Sequence, residues 1–525
     1  MSHVAVSHVP VVVIGAGPTG VAAATLLAQY GVETLVLDRW AEVYPQPRAV
    51  HMDDEVVRIL ARLGVADEFS TISRPAHGLR LVDDAHRVLA EFRRDTRVGV
   101  HGYAQANMFD QPDLEALLRA NLTRHRHASL IGGVEVTDVT ASSHGRQRVT
   151  YTDRTTGVEH AVDADYVLGC DGANSLVRRC IGAAMTDLRF RQRWLVVDIE
   201  TAADLDQWGG VHQVCDPARA ATYMRIGATR YRWEFRLLDG ETAEDFDALS
   251  ALTGLIAPWI RGVDAGELQL IRVAEYTFRA QIADRWSRGP VFLLGDAAHL
   301  TPPFIGQGMG AGLRDASNLA WKLAAVVHGD QPPSVLDSYP RERKAHAAQM
   351  IGLALAVGWS MTAGGRFGNA LRRLVVPRLG VLPGIRAKVT DGATPALRRS
   401  RYVVAPRLRR GLTGTLCPNP LLDNVRRLDD EIGCGFALVT ATPPSARQWD
   451  LLTRRGASVV VAGAEGELGA WLRHGRATAA IVRPDRTVMA AGADLERLVR
   501  LVPTFRPAPY DEVESPVPGS LVTDG

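Results

Sequence analysis

The chain has 525 residues, with 60 basic and 58 acidic side chains for a net charge of +2, and 46% of its residues are hydrophobic. That length accommodates two or three domains with substantial cores, and the balanced charge gives no electrostatic case for nucleic acid or an anionic membrane surface. Five scattered cysteines, Cys170, Cys180, Cys215, Cys417 and Cys434, form no CxxC or CxxH pair, so neither a zinc cluster, a disulfide framework nor any other metal site is expected. The start, MSHVAVSHVP, lacks the basic and apolar regions of a secretory signal, and the apolar run at Ile351 to Val357 is too short to span a bilayer. A cytoplasmic protein is expected.

In chain order, Val11 to Ile14 reads as a buried strand of β-branched residues, followed by Gly15-Ala-Gly17-Pro18-Thr19-Gly20. A helix with Val21, Ala24, Leu27 and Ala28 on one face comes next, then a second strand from Thr34 to Leu37 that ends in Asp38-Arg39. This is a βαβ unit with the dinucleotide fingerprint. The first glycine makes the turn, the second admits a pyrophosphate, and the third packs helix on strand. Asp38 is placed to accept from a ribose hydroxyl. The fingerprint alone does not separate FAD from NAD.

The loop from Tyr44 to His51 is bounded by prolines and carries Arg48, a phosphate or ribose ligand or a plain surface arginine. A helix is expected from about Asp53. Another begins at Gln111-Pro112, with Pro112 in its first turn; Gln111 is either its cap or a nucleotide ligand. Tyr166 to Cys170 is a strand that runs into Asp171-Gly-Ala-Asn-Ser-Leu-Val-Arg178. From Trp194 the texture changes to strands at Trp194–Glu200, Thr222–Arg225, Tyr231–Leu237 and Leu268–Phe278. Their alternating polarity predicts an antiparallel sheet with one wet face, inserted as a lid. Tyr223, Arg225, Arg232 and Trp233 are its candidate substrate contacts, although strand arginines more often face solvent.

The chain is organised around Gly295–Lys322. A strand at Val291 to Leu294 places Asp296 at its carboxyl end, where open α/β sheets bind ligands. Pro302 and Pro303 stiffen the turn, and Gly306, Gly308, Gly310 and Gly312 admit a close backbone approach. The helical pattern begins at about Leu313, so a helix start points at whatever lies over the glycines and favours negative charge there. His299 reads as a loop tether rather than an acid–base group. Helices continue to about Gly380. A proline- and arginine-rich linker follows, and then a final αβ segment with strands Phe436–Thr440, Ser458–Val461 and Thr478–Val482 and a helix near Glu467 to Arg473. That spacing is thioredoxin-like without a redox CxxC. No P-loop, HExxH or GxSxG motif is present.

Three separated motifs, GAGPTG, CDGANSLVR and GDAAHLTPPFIGQGMGAG, together resemble the signature set of the single-component FAD-dependent aromatic hydroxylases, the class A flavoprotein monooxygenases. YPQPRAVHMDDE, WLVVDIE, CDPARA and DASNLAWKL make the resemblance greatest to the 3-(3-hydroxyphenyl)propionate hydroxylases. The resemblance implies an α/β fold like that of p-hydroxybenzoate hydroxylase. Its domains are an FAD-binding Rossmann domain (1–185 and 285–385), an inserted antiparallel-sheet substrate lid (186–284), a linker (386–421) and a thioredoxin-like C-terminal domain (422–525). It implies FAD held by Gly15, Gly17, Pro18, Thr19, Gly20, Asp38, Arg39, Arg48, Gln111 and Asp171, and by Gly295, Asp296, Gly306, Gly308, Met309 and Gly310. Pro303 would lie over the reacting edge of the ring, the one catalytic position assigned. Gly310 stands where many relatives carry Asn or Cys, and Asp38 where Glu is more usual. NADH or NADPH would reduce the flavin, and O₂ would supply the oxygen placed ortho to the hydroxyl of a phenol. The same chemistry on a polyketide, and a flavin-free binding module on the same fold, are the alternatives. The C-terminal segment is expected to supply packing or homodimer contacts.

Overall fold

The computed structural model describes residues 7–44, 49–142, 145–362, 394–405, 411–422 and 425–507. Arg48, the expected helical stretch beyond residue 362 and the tail from residue 508 lie outside the described residues.

The chain opens with β1 (Ser7–Ile14), α1 (Pro18–Gln29) and β2 (Thr34–Leu37). Next come β3 (His51–Asp53), α2 (Asp54–Leu63), α3 (Ala66–Ile72), β4 (Ser73–Pro75), β5 (Gly78–Val82), β6 (Val88–Arg93), β7 (Ala106–Phe109) and α4 (Gln111–Leu122). The first segment closes with β8 (Ala128–Ile131), β9 (Val134–Ala141), β10 (Gln147–Asp153), β11 (Glu159–Gly169) and α5 (Leu176–Cys180). The insertion holds β12 (Met185–Glu200), β13 (Val211–Val214), β14 (Ala221–Arg225), β15 (Arg230–Arg236), α6 (Leu249–Ile256) and β16 (Gln269–Ala283). The return brings β17 (Ser287–Arg288), β18 (Val291–Leu293), β19 (His299–Leu300), α7 (Gly308–Val327) and α8 (Ser338–Thr362).

The first sheet has the order β17–β18–β11–β1–β2–β8, with β10 and β9 added antiparallel on β11. The strands β18, β11, β1, β2 and β8 run parallel. Val11 to Ile14 and Thr34 to Leu37 are buried throughout, which is why these runs are apolar without alternation. The alanine-rich α1 packs against α7, and their approach is set by Thr19: a Cβ on Gly312 would collide with its hydroxyl. The helix α7 starts at Gly308, a turn and more before the expected Leu313. Its glycines are weak helix formers in isolation, but burial against α1 and α2 overrides propensity.

The second sheet has the order β19–β16–β12–β15–β14–β13–β5–β6. It is antiparallel apart from the parallel pair β13–β5. Two of its strands, residues 78–93, come from before the insertion. The first half of β12 and much of β16 expose alternate residues to solvent, while the centre of the sheet is covered on both faces. One face is covered by Leu252, Ile256 and Trp259, which pack with Leu195, Val197, Tyr223, Tyr231, Trp233 and Phe235. The other faces a cavity.

The C-terminal sheet is formed by β20 (Ala437–Thr440), β21 (Ser458–Val461), β22 (Ala479–Val482) and β23 (Val488–Gly492), in the order β21–β20–β22–β23. β20 and β21 are parallel and β22 is antiparallel to both neighbours. Helices 446–454 and 467–474 connect the strands and helix 495–501 follows them. The stretch expected as a linker is packed in part: Tyr402, Val403, Leu412 and Cys417 are buried, while Arg398, Arg399, Arg401 and Leu421 are exposed. Its prolines and arginines read as a linker. The arginine-rich composition concealed that apolar residues dock it on both neighbours.

Candidate active site

A single cavity of about 1400 Å³ runs between the two large sheets. Its floor is the end of β1 and the start of α1, through Gly15, Gly17, Pro18 and Thr19. Gly15 has φ +103°, and a Cβ there would collide with the carbonyl of Cys170. A Cβ on Gly20 would collide with the carbonyl of Gly15. Gly17, by contrast, has nothing within 4 Å of a Cβ position, so the backbone is open toward the cavity. The helices α1 and α7 both direct their N-termini here. Among the described residues neither is capped by a side chain, and neither carries an acidic residue in its first turn. Two open helix N-termini on one cavity make it a receptor for an anionic ligand.

Asp38 closes β2 at the cavity edge. It accepts from the Ala16 amide at 2.5 Å and the Trp40 amide at 2.7 Å, with Arg119 at 3.7 Å. Arg39 also lines the cavity and lies 3.6 Å from Glu135. Gln111, the first residue of α4, is held from both ends: it accepts from the Ala49 amide and donates to Glu115, each at 2.6 Å. Asp171 lines the cavity, and its carboxylate also ties down α5, accepting from Ser175 Oγ at 2.5 Å and the Val177 amide at 3.1 Å. Burial pushes its pKa up.

The turn from Gly295 is fixed by Asp315 on α7. This fully buried carboxylate accepts from the Gly295 amide at 3.1 Å, from His299 at 2.8 Å and from Arg343 at 2.8 Å. His299 is thus a tether of the loop. Asp296, Pro303, Gly306, Gly308 and Met309 line the cavity. Arg314 clamps the start of α7 by bonding Gln307 at 2.9 Å, Asp53 at 2.5 Å and Glu55 at 2.8 Å. Gly20, Gly295 and Gly310 are not among the lining residues. Gly310 is buried, and a Cβ there would lie 3.0 Å from both Val56 and Arg314, so a side chain at this position would meet α2 and the Arg314 clamp.

The roof comes from alternate residues of the second sheet: Trp194 and Val196, Thr222 and Met224, Arg232 and Glu234. Strand periodicity therefore puts Tyr223 and Arg225 on the opposite face. Tyr223 lies among His212, Trp233 and Trp259, and Arg225 lies over Tyr231 while donating to the carbonyls of Gly227 and Ala228. Neither is a cavity residue, which corrects the expectation from sequence. Trp233, on the same face as Tyr223, is likewise turned away. Arg232 does line the cavity, yet its guanidinium grips Asp198 in a fork at 2.7 and 2.9 Å. His51, Glu234 and Gln213 also line the cavity and are not among the site candidates offered by the sequence. Burial lowers the pKa of His51 and raises that of Glu234. Gln213 sits on the short β13, whose flanking Trp208-Gly-Gly hides a strand; its pairing with β14 is visible only in three dimensions.

A parallel sheet with a dinucleotide turn, a second glycine-rich helix start and an inserted sheet roofing the same cavity define a nucleotide-cofactor protein of the doubly wound α/β class. The family model described as FAD binding domain matches residues 8–354. The chain belongs to that family, and the resemblance to the FAD-dependent aromatic hydroxylases holds beyond the three motifs. A 3-(3-hydroxy-phenyl)propionate/3-hydroxycinnamic acid hydroxylase of Burkholderia vietnamiensis is 33% identical over 96% of this chain and 97% of its own length. A probable NADH-specific resorcinol 4-hydroxylase of Rhodococcus jostii is 32% identical over 95% of this chain and 97% of its own. Aklavinone-11 hydroxylase, solved with FAD and aklavinone, shares the fold at a TM-score of 0.78, with 24% identity over 94% of this chain and 98% of that one. FAD fits the cavity: the open backbone at Gly17, the two uncapped helix N-termini and the strand-end Asp38 have the chemistry that a pyrophosphate and a ribose require.

Proposed function

We propose that the protein uses FAD, NADH and O₂ to hydroxylate a phenol ortho to its hydroxyl, with 3-(3-hydroxyphenyl)propionate or 3-hydroxycinnamate as the substrate type. The observation that carries this reading is that one cavity is bounded both by the dinucleotide-binding turns and by an apolar, aromatic sheet face. A cofactor and an aromatic substrate would thus be held against one another. The curated relatives' names supply the substrate type and NADH. FAD supplies the redox chemistry when bound.

The chain's own residues have these roles. Gly15, Gly17, Pro18, Thr19 and the start of α1 receive the pyrophosphate, with Gly20 giving the close turn behind them. Asp38 accepts from the ribose, with Arg39 beside it; Gln111 and Asp171 brace the nucleotide from either side. Gly295 and Asp296 take the ribityl chain. Gly306, Gly308 and Met309 present backbone to the flavin ring and Pro303 lies at its reacting edge. Arg232 in the roof shares Asp198 with Arg272, and it stands with Arg94 and Arg279 at the cavity wall as a candidate partner for a substrate carboxylate. The roof sheet excludes water from the reacting face. The domain limits given above serve as working boundaries, with strands 78–93 added to the lid. The strand order of the C-terminal unit, with one strand antiparallel to the rest, supports a thioredoxin-like reading. A homodimer and a cytoplasmic location belong to the same proposal; no described helix is long and apolar enough to cross a membrane.

Purified protein should be yellow. NADH oxidation in air should accelerate with the phenolic acid, and a catechol should appear in proportion. A colourless protein would point to the binding-module reading. Acceleration by polyketides and not by phenolic acids would move the substrate to a larger aromatic.

A further inference from the structure

Gln213 lies on the cavity side of β13, opposite to the neighbouring His212, which packs into the aromatic layer behind the sheet. It is 3% exposed. Its Nε2 donates to the main-chain carbonyl of Phe304 at 2.8 Å. That bond fixes the orientation of the amide, because a flipped amide would set two oxygens against each other. The remaining atom, Oε1, is buried and has no hydrogen-bond partner among the described residues. A buried amide oxygen with nothing to accept from is costly, and such groups are rare unless a ligand completes them.

The surroundings identify the ligand's chemistry. Trp194 and Phe304 pack together here with Leu79, Phe92 and Phe278 beside them, and all of these line the cavity. This is an apolar, aromatic wall with an acceptor set into it. It suits a flat ring carrying one O–H donor. The bond from Gln213 to Phe304 also joins that acceptor to the residue after Pro303, so a hydroxyl held by Oε1 is placed relative to the turn itself.

Resting on the phenol-hydroxylase reading, we propose that Gln213 is the specificity residue that accepts the hydroxyl hydrogen of the aromatic substrate. An amide oxygen accepts a hydrogen bond but does not take the proton, so Gln213 selects the neutral phenol and orients it. A substrate with an ether or a bare carbon at that position leaves Oε1 unpaired or opposed. Sites built to bond a hydroxyl reject analogues lacking it far more strongly than apolar pockets reject a missing methylene.

The test uses the FAD-loaded full chain. Flavin absorbance is titrated with 3-(3-hydroxyphenyl)propionate, 3-phenylpropionate and 3-(3-methoxyphenyl)propionate, for the wild type and for Gln213→Met, which keeps the length and loses the acceptor. The wild type should bind the phenol at least about tenfold more tightly than either analogue. In Gln213→Met that preference should shrink to within about threefold, with 3-phenylpropionate bound as well as before. A variant that keeps the full preference overturns the assignment and leaves the hydroxylase reading standing. A wild type that binds all three equally overturns it even if the variant fails to hold flavin. No response to any of the three sinks both the assignment and the phenolic-acid reading.

Discussion

Asp315→Asn tests whether the glycine-rich turn is held from behind. In the wild type one carboxylate oxygen accepts from the Gly295 amide and His299, and the other from Arg343. Asparagine keeps the shape but must present an NH₂ to one of these sets of donors. At least one buried N–H then faces another, and Arg343, itself buried, loses its counter-charge. Breaking one side of a buried ion pair costs roughly 3–5 kcal/mol. Gly295 begins the turn that carries Asp296 and Pro303, so this penalty falls on the geometry that receives the cofactor. A loss of 3 kcal/mol passed to binding would weaken FAD about 150-fold. The assay is equilibrium dialysis of the apoprotein with FAD, alongside the thermal unfolding midpoint. An FAD affinity within about threefold of wild type, with an unchanged midpoint, would refute the reasoning, since a 3 kcal/mol penalty cannot hide in both. The sign of the pH effect is fixed as well. Burial alone would raise the Asp315 pKa, but Arg343 and His299 outweigh it and hold it below the ordinary value. The stabilisation is therefore present above the unfolded-state pKa and lost as pH falls through the folded one. Wild type should lose flavin in acid more steeply than Asp315→Asn.

Asp296→Ala should weaken FAD binding tenfold or more, because a charge-assisted hydrogen bond is worth roughly 1.5–3 kcal/mol; full flavin with full turnover would remove Asp296 from the site. Acid precipitation should release the flavin into the supernatant, since no linkage motif is evident in the sequence; colour kept in the pellet would contradict this. The double variant Cys417→Ser, Cys434→Ser should hydroxylate normally. Loss of turnover with the fold intact would assign redox chemistry to the tail. For Glu342, burial pushes the carboxyl up but Arg483 and Lys322 outweigh it, bringing its pKa down to about 2. Its contribution should be complete above about pH 4.5 and vanish as pH falls toward 2. A thermal midpoint of the wild type that does not drop through that window would be the contrary result.

Much of the first layer is legible from local pattern. The strand Thr34–Leu37 and the helix at Gln111 appear where periodicity and Pro112 put them. The lid was legible in content but not in facing. Alternation tells which residues share a face; it does not tell which face meets a cavity, so it offers Tyr223 and Arg225 as candidates alongside Arg232 although they lie on the opposite face. Arg232 stood on the right side, but its engagement by Asp198 depends on a pairing across β12 and β15 that no local spacing reveals. Gln213 was hidden for a further reason. Its meaning lies in a bond to the Phe304 main chain, 91 positions away, and main-chain partners leave no trace in residue type.

The C-terminal unit carries the same lesson into energetics. Arg483, on the loop after β22, bonds Glu342 of α8 at 3.0 Å, and Glu342 in turn accepts from Lys322 at 2.9 Å and Asn318 at 2.8 Å, both on α7. A second buried junction joins Arg58 of α2 to Asp429 at 2.6 and 2.7 Å and to the Cys417 carbonyl at 2.5 Å. Both junctions therefore end on helices whose other ends shape the cofactor cavity: α7 begins at Gly308, and α2 is capped by Asp53, the partner of Arg314. The charges in these networks are buried and shared: Arg483 also pairs with Asp485, Asp429 with Arg486 at 2.8 Å, and Glu342 with both Lys322 and Arg483, so removing one unbalances the whole cluster. A unit attached only by apolar contact would be free to shift by small repacking. One pinned by paired buried charges has few alternative positions, since each displacement strands a charge. The C-terminal unit thus braces α7, α8 and α2 through buried ion pairs, with no CxxC in its sequence.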